Sequence, residues 1–577
     1  MSNKEIAKIF HNMALYLEVE GVIFKPQAYE RAAMSFDVLS EDIREIYKKE
    51  GIKGIRKISG VGESMADKIV EYLEKGKIKE YENFKRKIPI DIEELIAVEG
   101  VGPKMIKTLY QKLKIKNLQD LEKAAKSGKI RNLPKFGEKK EQNILQSIEF
   151  LKRAKGRYLL GDILPTVKEV IIGLKNIKDV KEAHVVGSLR RMKETIGDVD
   201  VLVVAEKPQK VMDYFVSMPG IEKILAKGAT KSSVRMSAGF DIDIRVVSEK
   251  SYGSALQYFS GSKEHNIALR KIAISKGLKL NEYGLFEGVK MIAGKSEEEI
   301  YEKLGMAWIP AELRENSGEI ELAQKNKLPE LIKVSDIKGD LHVHSDWDGG
   351  ENSILELVES AIKMDYQYLG IADHTKFLRI ENGLDEKRLR ERNKEIDKLN
   401  FRLRQGFGGQ AKFRILKGCE ANIMVDGSID IDDQALKELD FLIAGIHSQL
   451  KMKKKEMTSR IIKAMQNPHV DIISHPTGRI LQKRDEYEMD FDRILRVAKE
   501  TKTVLEINSF PLRLDLKDIN IKKAKKAGVK MVINTDAHHK DSLRLMEYGV
   551  SQARRGWAER TDIVNCWPAE KMLKMLK

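Results

Sequence analysis

Six short motifs constrain the second half of this chain more tightly than any other feature. Each sets a histidine or an acid directly after an apolar run: Asp340-Leu341-His342-Val343-His344, Ala372-Asp373-His374, Gly418-Cys419-Glu420, Gly445-Ile446-His447, Ile473-Ser474-His475 and Thr535-Asp536-Ala537-His538. Eight of the eleven histidines fall beyond residue 341. Helical segments separate the motifs, which is the layout of a β/α barrel with its site assembled at the carboxyl ends of parallel strands. One His-x-His alone is more often a hydrogen-bonded strand histidine than a ligand; six motifs in order are not explained that way. Imidazole and carboxylate without thiolate favour Mn²⁺, Zn²⁺ or Fe²⁺. A cluster this rich is expected to hold two or three ions and to hydrolyse phosphoester bonds.

At 577 residues the chain exceeds one core, and its length predicts about three to five compact units. Lys and Arg outnumber Asp and Glu by 104 to 88, a net charge of +16 that suits a polyanionic partner. Residues 101–150 concentrate that charge, with 12 Lys/Arg against 5 Asp/Glu. Two cysteines, Cys419 and Cys566, are too few for a disulfide framework and point to a reducing cytoplasm. No apolar run is long enough to cross a bilayer, so no membrane partner is expected. A monomer is expected.

The first half opens with helical periodicity, for example Ile6, Phe10 and Ala14 on one face. Two copies of one pattern follow, Ile58-Ser59-Gly60-Val61-Gly62 and Val98-Glu99-Gly100-Val101-Gly102, each opening an amphipathic helix. Leu133-Pro134-Lys135-Phe136-Gly137 is a degenerate third copy. Glycines there permit a tight turn and let a phosphate approach the N–H groups of the next helix. This is the helix-hairpin-helix device. It grips the DNA backbone without reading bases, so Gly60, Gly62, Gly100 and Gly102 are predicted DNA contacts.

Beyond Arg157 strands and helices alternate, and Asp198-Val199-Asp200 in a β-rich run sends both acids to one face. Two adjacent carboxylates repel unless a cation neutralises them, and hard oxygen ligands suit Mg²⁺. Gly187-Ser188 just upstream offers N–H groups and a hydroxyl to a triphosphate. A second strand, Asp241-Ile242-Asp243-Ile244, supplies a third carboxylate.

The run Gly187-Ser188-Leu189-Arg190-Arg191, Gly197-Asp198-Val199-Asp200, Ile242-Asp243-Ile244-Arg245 and Tyr258-Phe259-Ser260-Gly261 resembles family X DNA polymerases, the relatives of polymerase beta. The match covers residues 1–315. It implies two-metal nucleotidyl transfer on gapped or primer-template DNA from deoxynucleoside triphosphates, with Asp198, Asp200 and Asp243 holding Mg²⁺ or Mn²⁺. By the same match Asp241 is not a ligand. Gly187, Ser188 and Arg191 fall at triphosphate contacts, Tyr258, Phe259 and Gly261 beside the sugar, and Asn266 and Arg270 near the base or template. Lys263 stands where the animal relative carries an acid. Lys68 falls where a Schiff-base lysine would remove a 5′-deoxyribose phosphate. That role needs a lowered amine pKa; a plain phosphate contact is the other reading, and Ser64 replaces a second lysine one turn earlier.

The second half resembles the PHP (polymerase and histidinol phosphatase) domain over residues 336–577. This implies metal ligands at His342, His344, His374, Glu420, His447, His475, Asp536 and His538, with Glu420 bridging. It also implies a 3′–5′ exonuclease, with abasic-site endonuclease and 3′-phosphatase as further activities. The family has Ser-Asp-Gly after the tryptophan, whereas Trp347-Asp348-Gly349-Gly350 brings the acid one residue early, so Asp348 is the candidate for a third ion. Asp373, His469 and His539 are expected behind the ligands or on the surface. Asp430-Ile431-Asp432 mimics the palm motif without a cradle, and the Gly-rich run 401–410 enters a strand from the end opposite a barrel site.

The expected fold is therefore an α+β polymerase core followed by a β/α PHP barrel. Its expected parts are a lyase-like helical domain (1–85), a second hairpin domain (86–155), a nucleotidyltransferase palm (156–250), a nucleotide-closing subdomain (251–318), a linker (319–335) and the PHP domain (336–577). The rival readings are a nuclease or phosphatase with an inactive palm, and a non-catalytic DNA-binding scaffold.

Overall fold

The computed structural model describes residues 3–22, 24–39, 42–58, 60–98, 100–134, 136–154, 156–406 and 413–576. Ser59, Glu99 and Lys135 of the hairpin motifs, and 407–410 of the Gly-rich run, lie outside them.

Nine helices from Asn3–Glu20 to Gly137–Ala154 precede the first strand among the described residues. Their apolar faces, from Ile6 through Phe36, Ile69 and Leu109 to Ile148, merge into one core. Both hairpin glycines that start the turns have left-handed φ, +72° at Gly60 and +82° at Gly100. At Gly60 a Cβ would sit 3.2 Å from the Ala32 backbone nitrogen, so the turn presses on the helix Lys25–Val38 and only glycine fits. The helices that follow, Glu63–Lys75 and Pro103–Leu113, begin at Gly62 and Gly102 with no side-chain cap. No N-cap side chain occupies the first N–H groups of either helix, as suits an anion site.

The palm is a five-stranded sheet in the order Val180–Val186, Val199–Ala205, Asp241–Val247, Lys231–Met236, Ile221–Lys227. Only the pair of Val199–Ala205 with Asp241–Val247 is parallel. Alternation decides its faces: Val199, Val201 and Val203 are buried in a core with Ile163, Val167, Met212 and Phe215 from two covering helices. Asp200 is left on the opposite face. The next subdomain packs helices Tyr252–Ser260 and Lys263–Ser275 against a three-stranded antiparallel sheet, around Leu269, Leu285, Ile300 and Tyr301.

From Gly339 the chain alternates parallel strands with helices. Gly339–Val343, Tyr368–Ile371 and Arg414–Lys417 form one sheet; Glu420–Asn422, Ile443–Gly445, Ile472–Ile473, Val504–Asn508 and Met531–Asn534 form another. Single bridges Val343–Ala537 and His374–Glu420 join them at their carboxyl ends. Strands buried along their whole length explain the continuous apolar runs in the sequence. Cys419 and Cys566 are free and buried. No helix among the described residues is long and apolar enough to cross a membrane.

The halves are packed together. Leu514 and Tyr548 of the second half enter the palm core. Lys168 pairs with Glu547 at 2.6 Å and Arg479 with Glu194 at 2.7 Å.

Candidate active sites

In the palm, Asp200 and Asp243 are direct register partners on adjacent parallel strands, and Asp198 lies two residues before Asp200. Burial and then the charges of Asp198 and Asp243 push the Asp200 carboxyl up to about 6. Mutual repulsion of this kind is relieved by a cation, so the donor set fits a divalent metal. Lys231 Nζ lies 3.0 Å from Asp243 Oδ2. Asp241, by contrast, is held by Arg235 at 2.6 Å, away from the cluster.

The Gly187-Ser188 turn abuts this cluster. Gly187 has φ +67°, and a Cβ there would lie 3.2 Å from Asp200 Oδ2. Arg190 forks onto Glu297, both bonds at 2.8 Å, and Arg314 joins the same carboxylate at 2.6 Å, which fixes the turn to the closing subdomain. Arg191 donates from Nε to Glu315 at 3.1 Å and from Nη1 to the Ser260 carbonyl. Tyr258 and Phe259 meet edge to face at 5.2 Å, and the Arg245 guanidinium lies 4.9 Å from the Phe259 ring centroid. Gly261, at φ +67°, ends that helix against Arg191. Asn266 bonds within the protein, donating to Tyr258 O and accepting from Gln257, both at 2.7 Å; Arg270 is half-buried on the same helix.

The histidine motifs converge at the carboxyl ends of their strands. Glu420 is central. Its Oε2 lies 3.1 Å from His374 Nε2 and 3.4 Å from His342 Nε2; its Oε1 lies 3.0 Å from His475 Nε2 and 3.5 Å from His447 Nε2. Asp536 Oδ1 lies 3.4 Å from His344 Nε2 and 3.6 Å from His342 Nε2, and the His538 ring stacks on His344 at 4.2 Å. Donor atoms of three sets, His342/His344/Asp536, His344/His374/His538 and His374/Glu420/His447, each lie within 4.8 Å of one another. The Nε2 atoms of His342 and His344 are buried without a hydrogen-bond partner. Buried polar atoms are rarely left so, and these point at the shared carboxylates, so the donor set fits several divalent ions.

Asp348, the candidate for a third ion, lies against two of the rings. Its Oδ2 lies 2.8 Å from the Nδ1 atoms of both His344 and His374, and its Oδ1 accepts from Gly350 N. One carboxylate behind two rings fixes which nitrogen each turns to the centre. Asp373 is buried beneath, bonded to Ser345 and paired with Arg392 at 3.0 Å; with His344 and Asp348 it forms a fourth close donor group.

Sequence reasoning missed Glu506, which lies 2.6 Å from His342 Nδ1 and accepts from His475 N at 2.7 Å. It missed Asn422 and Ser474, which hold His447 Nδ1 at 2.9 Å and Glu420 at 2.7 Å. The available signal was an acid inside the apolar strand Val504–Asn508, buried at all five positions. Asp430 receives Thr375, Phe377 N and Asn422 N, and Asp432 caps a helix, so that pair is structural. His539 caps a short turn and His469 is half-buried in a loop.

Lys68 lies in a setting that favours the charged amine. Burial lowers its amine, but Tyr29 and the Glu80 carboxylate at 3.1 Å outweigh that, and the net shift is upward. Its Nζ also donates to Ser64 Oγ at 2.7 Å. A Schiff-base nucleophile needs the opposite shift.

Family models match four stretches of the chain. A helix-hairpin-helix domain matches residues 1–78, a SAM-like helix-hairpin-helix tandem 92–149, the DNA polymerase beta thumb 255–315 and the PHP domain 340–510. Probable phosphatases from Caldanaerobacter subterraneus subsp. tengcongensis and Caldicellulosiruptor bescii are 37% and 38% identical over 134 residues, 22% of this chain and 50% and 53% of theirs. The DNA polymerase/3′-5′ exonuclease PolX of Bacillus subtilis is 36% identical over 582 residues, covering all of both chains. Since that likeness runs unbroken through hairpins, palm, thumb and histidine centre, the chain belongs to the PolX family of family X polymerases that carry a PHP domain.

Proposed function

We propose that this protein is a DNA-directed DNA polymerase that fills short gaps, with a separate 3′–5′ exonuclease centre in its PHP domain. The observation that carries the first activity is the register pairing of Asp200 with Asp243, with Asp198 adjacent, beside the Gly187 turn. Gly187 and Ser188 face the triphosphate oxygens, Arg191 binds them, and Tyr258 and Phe259 wall the sugar. Asp243 is the carboxylate nearest the attacking 3′-hydroxyl. Magnesium or manganese bound by the three acids supplies charge neutralisation to the triphosphate and the leaving pyrophosphate.

In the second centre Glu420 touches both histidine groups and sits between their donor sets. His342, His344, His374, His447, His475, His538 and Asp536 hold two or three Mn²⁺, Zn²⁺ or Fe²⁺ ions, which supply Lewis acidity for phosphoester hydrolysis. The protein orients the rings through Asp348, Glu506 and Asn422. The likeness to probable phosphatases favours 3′-phosphate removal as a second reaction of the same centre. The hairpin turns at Gly60–Gly62 and Gly100–Gly102 hold the DNA backbone through helix N-termini.

Single-nucleotide extension on gapped DNA by Asp243→Asn tests the palm assignment. Activity reduced by about 10³-fold or more supports it, and activity near wild type refutes it.

A further inference from the structure

The turn that follows the nucleotide cradle, from Arg191 to Glu194, is held from the PHP domain. Helix Met546–Arg555 lies against it. Arg555 Nη1 donates to the Arg191 carbonyl at 2.8 Å and to Glu315 Oε1 at 3.2 Å, while its Nη2 donates to Asp518. Gln552 Nε2 donates to Met192 O at 3.4 Å, and Met192 is held at φ +52°. The Arg555 side chain is 2% exposed, a burial that a guanidinium tolerates only with its partners in place.

Glu315 joins this clamp to the cradle. The same oxygen accepts from Arg191 Nε at 3.1 Å, from Lys193 Nζ at 3.1 Å and from Arg555. A carboxylate paired with Arg191 alone would hold its guanidinium firmly. Shared among three cations, it holds each less firmly and leaves a local excess of positive charge beside the turn. That excess suits a polyphosphate.

We propose that Arg555, a residue of the PHP domain, is a positioning residue for the polymerase's incoming nucleotide. It fixes the Arg191 backbone and competes for the Glu315 oxygen that the Arg191 guanidinium also holds. The inference rests on the reading of Gly187–Arg191 as the triphosphate cradle.

The test is gap filling by the full-length protein at varied deoxynucleotide concentration, with exonuclease activity measured on the same preparations. Arg555→Ala is expected to raise the nucleotide KM about tenfold with kcat changed less than about threefold, Arg555→Lys to recover part of it, and exonuclease to stay within about twofold of wild type. Arg555→Lys retains a buried cation and keeps the test informative if the alanine variant does not fold. Lys168→Ala, which removes the partner of Glu547 on the Arg555 helix without touching the turn, is expected to leave KM unchanged. A wild-type KM in both Arg555 variants, an equal rise in Lys168→Ala, or a parallel fall in exonuclease activity would overturn the proposal. Arg191→Ala separates the two levels. If it leaves KM unchanged the cradle reading itself falls; if it raises KM while the Arg555 variants do not, only the role of Arg555 falls.

Discussion

His342 Nδ1 lies 2.6 Å from Oε1 of Glu506, and the other oxygen of that carboxylate accepts the backbone N–H of His475. One buried acid thus orients residues from two strands of the histidine centre. Such partners behind a ligand are typically worth about 10–100-fold in metal affinity. Glu506→Gln is expected to weaken Mn²⁺ binding by that order and to depress exonuclease activity at low Mn²⁺, with recovery at high Mn²⁺. Gap filling should be unchanged. A metal titration of both activities checks this.

Gly187 occupies a left-handed conformation against Asp200. A side chain there costs about 1–2 kcal/mol of backbone strain and also meets the carboxylate. Gly187→Ala is expected to lower polymerase activity by about tenfold or more while exonuclease persists, read in parallel assays of one preparation.

The palm alternation and the order of the histidine motifs were legible because each depends on neighbours within a few residues. Asp198-Val199-Asp200 fixes its own faces on any strand, and an apolar run ending in histidine marks its own carboxyl end. What was not legible depends on distant chain. Glu506 stands alone among apolar residues, and nothing local tells that His342, 164 positions away, rests on it. Asp348 is the candidate for a third ion by its place after Trp347, and nothing local tells that its carboxylate meets His374 as well as His344. Arg555 meets Glu315 across 240 positions. The surroundings of Lys68 were hidden for a similar reason: Glu80, which favours the charged amine, lies on the next helix.

Lys68, held as an ammonium by Tyr29, Glu80 and Ser64, is not expected to form a Schiff base. Borohydride trapping on 5′-deoxyribose-phosphate DNA near neutral pH should give the same yield for wild type and Lys68→Ala. A loss of trapped adduct in the variant would restore the lyase role.

Acid should loosen the contact between the two halves. Burial pushes the Glu315 and Asp518 carboxyls up, but Arg555 and Lys193 beside both, with Arg191 at Glu315 and the Ile519 N–H at Asp518, together outweigh it and leave them below their ordinary values. Carboxylates depressed in the folded state contribute stability that is whole above their unfolded values and is lost as pH falls through the folded ones. With unfolded values near about 4, the loss sets in below about pH 4.5. Thermal unfolding between pH 7 and pH 3 should show a fall in Tm that is shallower in Arg555→Lys, where the fork onto both carboxylates is lost.

The independence of the two centres is tested most directly by a primer-template assay with and without deoxynucleotides, run on Asp200→Ala and Glu420→Ala. Asp200→Ala should lose extension and keep Mn²⁺-stimulated 3′ degradation, while Glu420→Ala should extend and no longer degrade. Loss of both activities in either variant, or the reverse pattern, would contradict the assignment of the two sites.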